Sequence, residues 1–238
     1  MVPLHDDNPI RITPYLTYGL IGINIFIFLY EVSLPASQLQ TFVQNYAVVP
    51  SQLTASFQSG DPAQILSQAT TLITSQFLHG GFLHLAGNML FLWVFGNNIE
   101  DQLGHVKFLI FYLACGMLAG LAQWFFSMQS SVPSLGASGA IAGVLGAYIL
   151  RFPKSRILTL VPIGFFITTF RIPAIFFLGF WFLQQALYGV ASLQVRSNVG
   201  MESGGIAYWA HAGGFVVGVI LGPLFGLFAS QSQHRSRF

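Results

Sequence analysis

Apolar residues in this chain neither alternate at the strand period nor keep to one face at the helix period. They run together, and charge is confined to the gaps. Residues 12–30, 62–99, 108–150, 172–195 and 203–234 hold no Asp, Glu, Lys or Arg. A helix crosses the hydrocarbon of a bilayer with about 20 apolar residues, so each run has the length for one or two crossings. Division at polar and Pro/Gly clusters predicts six spans, at 14–30, 76–95, 108–127, 136–150, 172–190 and 207–228. The expected fold is an all-α integral membrane protein with a cytoplasmic tail at 1–13, a six-helix membrane domain at 14–228 and a basic cytoplasmic tail at 229–238. Residues 31–75 are rich in Ser, Gln and Thr yet carry Phe42, Val48, Val49, Leu53 and Phe57, which predicts a folded outer loop resting at the membrane interface. Residues 157–170 are apolar but too short to cross and contain Pro162. They read as a cytoplasmic interfacial segment or as the start of a broken fifth helix.

Composition narrows the class. The 238 residues are 54% hydrophobic and only 7% charged, against about 25% charged in a soluble domain. This excludes a soluble enzyme, a nucleic-acid binder and a disordered chain, and makes the lipid bilayer the first partner. The net charge of +2 is too small to imply an anionic partner; its value lies in where the charges sit. With the N-terminus cytoplasmic, eight basic residues (Arg11, Lys107, Arg151, Lys154, Arg156, Arg171, Arg235 and Arg237) lie inside and only Arg196 outside, as the positive-inside rule requires. An even number of spans puts both termini on that side. The first apolar stretch lacks a basic n-region and a small-residue cleavage site, so no cleavable signal peptide is expected. The single cysteine, Cys115, lies in an apolar run and reads as a small core residue. No internal repeat suggests the inverted halves of a transporter.

The polar residues within the spans are Asn24, His79, His84, Asn88, Gln123, Ser138, Gln184, Gln185 and His211, while all seven acids fall in tails and loops. Polar groups in hydrocarbon are costly and mark function. Paired-carboxylate chemistry is excluded on this reading, an H-E-x-x-H metal site is absent, and neither metal nor cofactor is expected. Hydroxyl, imidazole and amide remain. Ser138, in Gly136-Ala137-Ser138-Gly139, opens the fourth span. As a lone motif it is equally a packing serine, but a helix N-terminus offers unpaired N–H groups and the positive end of the dipole to a developing oxyanion.

His211 lies four residues into the sixth span and, taken alone, is a bundle histidine. Spans two, four and six run in one direction, however, so Ser138 and His211 come to matching heights about one turn below the outer surface. A short serine meets the imidazole only if the backbones nearly touch. Gly139, Gly143 and Ala147 on span four, and Ala210, Gly214, Gly218 and Gly222 on span six, supply such faces at i+4 spacing. His84 and Asn88 share one face of span two and are candidate oxyanion donors, although Asn88 alone reads equally as an interhelical hydrogen bonder. His79, five residues before His84, reads as a loop or interface histidine.

The ordered set of His84-x-x-x-Asn88, Gly136-x-Ser138-Gly139 and Ala210-His211-x-x-Gly214-x-x-x-Gly218, with Glu100-x-x-x-Gly104 after the second span, resembles the rhomboid intramembrane serine proteases over roughly residues 76–222. The resemblance implies a Ser138–His211 dyad without an acid, an oxyanion held by the Ser138 N–H with His84 and Asn88, and an acyl-enzyme on Ser138. It implies single-pass transmembrane protein substrates entering laterally past Phe176, Phe177, Phe180 and Trp181, with 191–206 as a cap, and an active site near the outer face of the cell membrane. Two departures stand out. Many members carry an aromatic ring four residues after the nucleophile, where this chain has Ala142, so Tyr208 or Trp209 substitutes or packing alone holds His211. The Trp-Arg pair common in the first outer loop is missing from 31–75. Two other readings are a catalytically inactive rhomboid-like protein that binds membrane clients, which predicts loss of Ser or His, and a small transporter or channel, which predicts buried charges or repeats.

Overall fold

The computed structural model describes residues 1–164, 166–193 and 207–229. Helices dominate: α1 (Tyr15–Ser33), α2 (Ala36–Tyr46), α3 (Pro50–Ser59), α4 (Pro62–Thr74), α5 (Phe82–Phe91), α6 (Asn97–Leu103), α7 (His105–Phe126), α8 (Ser138–Arg151), α9 (Ala174–Ser192) and α10 (Tyr208–Leu224). Each expected span contains a helix. Among the described residues, three of them (α1, α7 and α9) are long and apolar enough to cross a membrane, and the bent pair Pro62–Phe77 and Phe82–Leu103, counted as one span, brings the number to four. The second expected span starts too early. Residues 62–77 form a separate helix and 3-10 turn, and the chain bends by 82° before Phe82. From Phe82 it runs to Leu103 through one π-helical turn, Leu92–Gly96.

The all-α expectation is corrected by a three-stranded antiparallel sheet, which makes the fold mostly but not wholly helical. Residues 157–170 are not the start of a broken fifth helix. They lie in a hairpin of β2 (Arg156–Ile163) and β3 (Phe166–Pro173). The 1–13 tail contributes the third strand, since β1 (Val2–Asp6) pairs with β2. Asp6 is buried where β1 meets the bundle, and its carboxylate accepts from the Tyr148 hydroxyl at 2.5 Å and the Asn98 amide at 2.9 Å. Burial pushes its pKa up, against the lowering effect of the Tyr148 and Asn8 hydrogen bonds. The C-terminal tail at 230–238 and Arg235 and Arg237 lie outside the described residues.

At the end of the bundle remote from Ser138, two acids organise the chain entry. Pro14 cannot cap α1 with a side chain, so Glu100 does so from α6. Its buried carboxylate accepts from the N–H groups of Leu16 at 2.9 Å and Thr17 at 2.7 Å and from the Thr17 hydroxyl at 2.7 Å, with His105 Nδ1 at 2.5 Å. A carboxylate at a helix N-terminus meets orphan donors and a favourable dipole. Asp101 accepts from the Arg11 and Ile12 N–H groups and pairs with the Arg11 guanidinium at 3.3 Å.

The core element is α8. Residues Gly139 to Tyr148 are all buried, as expected of a helix apolar all round. Its closest neighbour is α10. A Cβ added at Gly218 would strike the Gly143 carbonyl, and one at Gly214 would strike the Gly139 carbonyl. On its other side, a Cβ at Gly139 would lie 2.7 Å from Ala119 Cβ, and one at Gly143 2.5 Å from Cys115 Sγ. Cys115 is thus a core residue whose small size matters. Outward-facing residues such as Phe26, Ile110, Phe176 and Leu183 are exposed.

Two outcomes follow for detergent-solubilised protein. Glu100→Ala leaves the α1 donors without their acceptor and lowers unfolding stability by about 3–5 kcal/mol; an unchanged melting temperature would remove Glu100 from this role. Gly218→Ala costs about 2 kcal/mol or more, whereas Gly179→Ala on α9, with nothing within 4 Å of an added Cβ, is neutral or slightly stabilising. Equal melting temperatures for the two glycine variants would contradict the close α8–α10 contact.

Candidate active site

The segment leading to Ser138 is pinned by residues in and beside α2 to α4. Val48 and Ser134 exchange two backbone hydrogen bonds, at 3.0 and 2.7 Å, and the Gly136 N–H donates to the Ser75 carbonyl at 2.8 Å. Thr54 on α3 donates to the Met128 carbonyl at 2.8 Å. Residues 31–75 therefore form a folded layer, as expected, and that layer scaffolds the loop before the serine without a Trp-Arg pair. Gly136 has φ 122°, in the region that favours glycine. A side chain there would also collide with the His84 ring, its Cβ lying 2.8 Å from Cε1 and 2.9 Å from Nε2. Ser138 then opens α8, so its N–H falls among the donors with no intrahelical acceptor.

His211 is the fourth residue of α10. Its Nε2 lies 2.7 Å from Ser138 Oγ, and its Nδ1 lies 2.8 Å from Gln185 Oε1 on α9. The Trp181 ring, one turn before Gln185, lies 5.8 Å from the imidazole at 32°. The expected substitutes for the missing aromatic are elsewhere: Trp209 stacks on Phe126 at 3.8 Å, and Tyr208 packs on Tyr188. Trp181 and Phe177, read as lining the entry, point inward instead. Phe177 is buried against Phe91 and Phe95, while Phe176 and Phe180 are exposed. Most of the expected cap, 194–206, lies outside the described residues.

His84 and Asn88 both face Gly136, with Asn88 Nδ2 3.6 Å from the position a Cβ would take there. His79 lies in a loop, as read, but not apart from His84. It is buried at 4% exposure, its ring meets His84 edge-on at 5.2 Å, and its Nε2 lies 3.0 Å from Asn88 Nδ2. The offset of five residues from His84 misleads because residues 78–81 are not helical and α5 starts only at Phe82. The His79 N–H donates to Glu31 Oε2 at 3.1 Å. Glu31 is buried within α1, and Glu100 and Asp101 are buried within α6, so the reading that every acid lies outside the helices is also corrected. Each of them takes up backbone N–H donors, and the His211 nitrogen remote from Ser138 faces an amide instead.

The remaining intraspan polar residues have local partners. Asn24 donates to the Leu20 carbonyl, Gln123 accepts from the Ala210 N–H, and Gln184 reaches Tyr188. A cavity of about 20 Å³ behind Ser138 is lined by Ser75, Gln76 and Gly136, room for one water. Among the described residues, no cluster of three His, Cys, Asp or Glu side chains could hold a metal. Chemically, a hydroxyl hydrogen-bonded to an imidazole whose far nitrogen is held is an activated nucleophile, and the nearby N–H donors suit a developing negative charge.

Residues 66–228 match the Rhomboid domain family. The chain is 31% identical over 229 residues to rhomboid protein 1, mitochondrial, of Saccharomyces cerevisiae, covering 93% of this chain and 55% of that protein. It is 37% identical over 134 residues to rhomboid protease GluP of Bacillus subtilis (56% and 24% covered). It is 30% identical over 164 residues to rhomboid-like protein 11, chloroplastic, of Arabidopsis thaliana (68% and 54% covered). The chain thus spans about half or less of the length of these relatives.

Proposed function

The chain belongs to the rhomboid family, and we propose that it is an active member: a serine endopeptidase that cleaves transmembrane segments of single-pass membrane proteins within the bilayer. The observation that carries this reading is the 2.7 Å contact between Ser138 Oγ and His211 Nε2. Ser138 Oγ attacks the scissile carbonyl while its proton passes to His211 Nε2. The oxyanion that forms takes hydrogen bonds from the Ser138 N–H, from His84 and from the Asn88 amide, one of whose two N–H groups is engaged by His79. Collapse of the tetrahedral intermediate breaks the peptide C–N bond, and His211 returns the proton to the leaving amine. Water then enters the same cycle, and hydrolysis of the acyl-enzyme regenerates the Ser138 hydroxyl.

The membrane arrangement belongs to the same proposal. Six helices cross, α8 and α10 being short because they are enclosed by the others, with both termini on the cytoplasmic side beside the basic residues. At about 1.5 Å per residue, the 14 residues of α8 rise about 21 Å, less than the roughly 30 Å hydrocarbon thickness. Ser138 is thereby recessed from the outer face yet within reach of water. Substrates approach along the exposed Phe176 and Phe180 of α9, and the family resemblance implies a helix-destabilising stretch with a small residue at the cut. Two relatives are named for the mitochondrion and the chloroplast. They lend no support to the plasma membrane expected above, and the proposal is for a bilayer alone.

With purified protein and a generic transmembrane substrate in detergent, wild type produces cleavage. Ser138→Ala and His211→Ala each lose several orders of magnitude in kcat while keeping the wild-type melting temperature. No cleavage by wild type would leave the client-binding reading in its place, and cleavage by Ser138→Ala at the wild-type rate would remove Ser138 as the nucleophile.

A further inference from the structure

We infer that Gln185 is a positioning residue that fixes the tautomer and orientation of His211; the inference rests on the proposed Ser138–His211 reaction and extends it to α9. A neutral imidazole carries one N–H, so each of its nitrogens has a definite role only if something outside the dyad chooses between them. Gln185 Oε1 lies 2.8 Å from His211 Nδ1. A carbonyl oxygen only accepts, so it selects the form with the proton on Nδ1. Nε2 is then left with its lone pair toward Ser138 Oγ at 2.7 Å. The opposite amide orientation would present an N–H to Nδ1 and drive the imidazole proton to Nε2, where it could not accept from the serine. Amide orientation and base competence are therefore one coupled choice.

The setting fits this role. Gln185 is buried at 8% exposure, and a polar side chain there is retained only with a partner. Trp181 and Gln185, four apart, share one helix face, so the indole and the amide meet the imidazole from the same helix. Ala142 on α8, one turn after Ser138, contributes no ring. A neutral amide also orients the imidazole without the cost of a buried carboxylate, which in hydrocarbon is high unless fully compensated.

Gln185→Met keeps size and apolar reach but removes the acceptor; Gln185→Glu keeps oxygens at the same distance and has no N–H to present. One hydrogen bond of this kind corresponds to about tenfold to a hundredfold in rate. The Met variant is expected to lose that much kcat with KM within about twofold of wild type, and the Glu variant to recover most of it. Nitrogen NMR of histidine-labelled protein gives the second readout. Wild-type His211 shows a protonated Nδ1 and a bare Nε2, and Gln185→Met shifts toward the other tautomer. Wild-type kcat in the Met variant, or an unchanged tautomer in it, overturns the inference. Failure of the protease reading looks different: wild type does not cut, yet the Nδ1-protonated signal and its loss in Gln185→Met still report whether Gln185 positions the ring.

Discussion

Everything distinctive in this molecule depends on how near α8 and α10 come to one another. A serine side chain is short, and a histidine on a separate helix reaches it only where the two backbones lie almost in contact. Gly143, Gly214 and Gly218 remove the side chains that would hold the helices apart, and Cys115 and Ala119 of α7 are small enough to close the opposite side of α8. Lipid offers helices no hydrophobic reason to associate, so close packing of this kind is itself a main source of cohesion in a bilayer. The contact that stabilises the bundle also brings Ser138 to His211.

The second constraint is that polar groups in such an interior must find partners. Here several of them do so at the two ends of the molecule. Far from Ser138, Glu100 and Asp101 receive the orphan N–H groups at the start of α1 and before it. Near Ser138, Glu31 takes the His79 N–H, His79 holds Asn88, and Gln185 faces His211. The outer layer of α2 to α4 joins this chain of contacts through Ser75 and Val48, which fix the backbone just before Ser138. The site is thus braced from the outer layer, from α9 and from α5, with no side chain acting alone.

Much of this is legible in the sequence because two of its signals are one-dimensional. Long uncharged runs mark the apolar helices, and small residues at i+4 mark where α8 and α10 touch; Ser138, His211, His84 and Asn88 follow from asking which polar groups such helices would bury. What is not legible depends on local bends and on neighbours distant in sequence. The contact of His79 with His84 and Asn88 is missed because its spacing is counted on a helix that does not yet exist at that point. The β2–β3 hairpin hides in an apolar run, although its Thr and Ile residues and Gly164 at φ 58° suit strands and a tight turn. Gln185 is visible as a polar residue on an apolar helix, but which way it faces depends on α9 packing against α10. Trp181 is read as lining the substrate entry for the same reason.

The central claim is that Ser138 is a nucleophile only because His211 accepts its proton. The most direct measurement is peptide mass spectrometry of the detergent-solubilised protein after reaction with a fluorophosphonate, which reports a covalent adduct independently of any substrate. The account predicts a phosphonyl adduct on Ser138 in wild type and none in His211→Ala. An adduct on a different residue, or equal labelling of Ser138 in the His211→Ala variant, would contradict it.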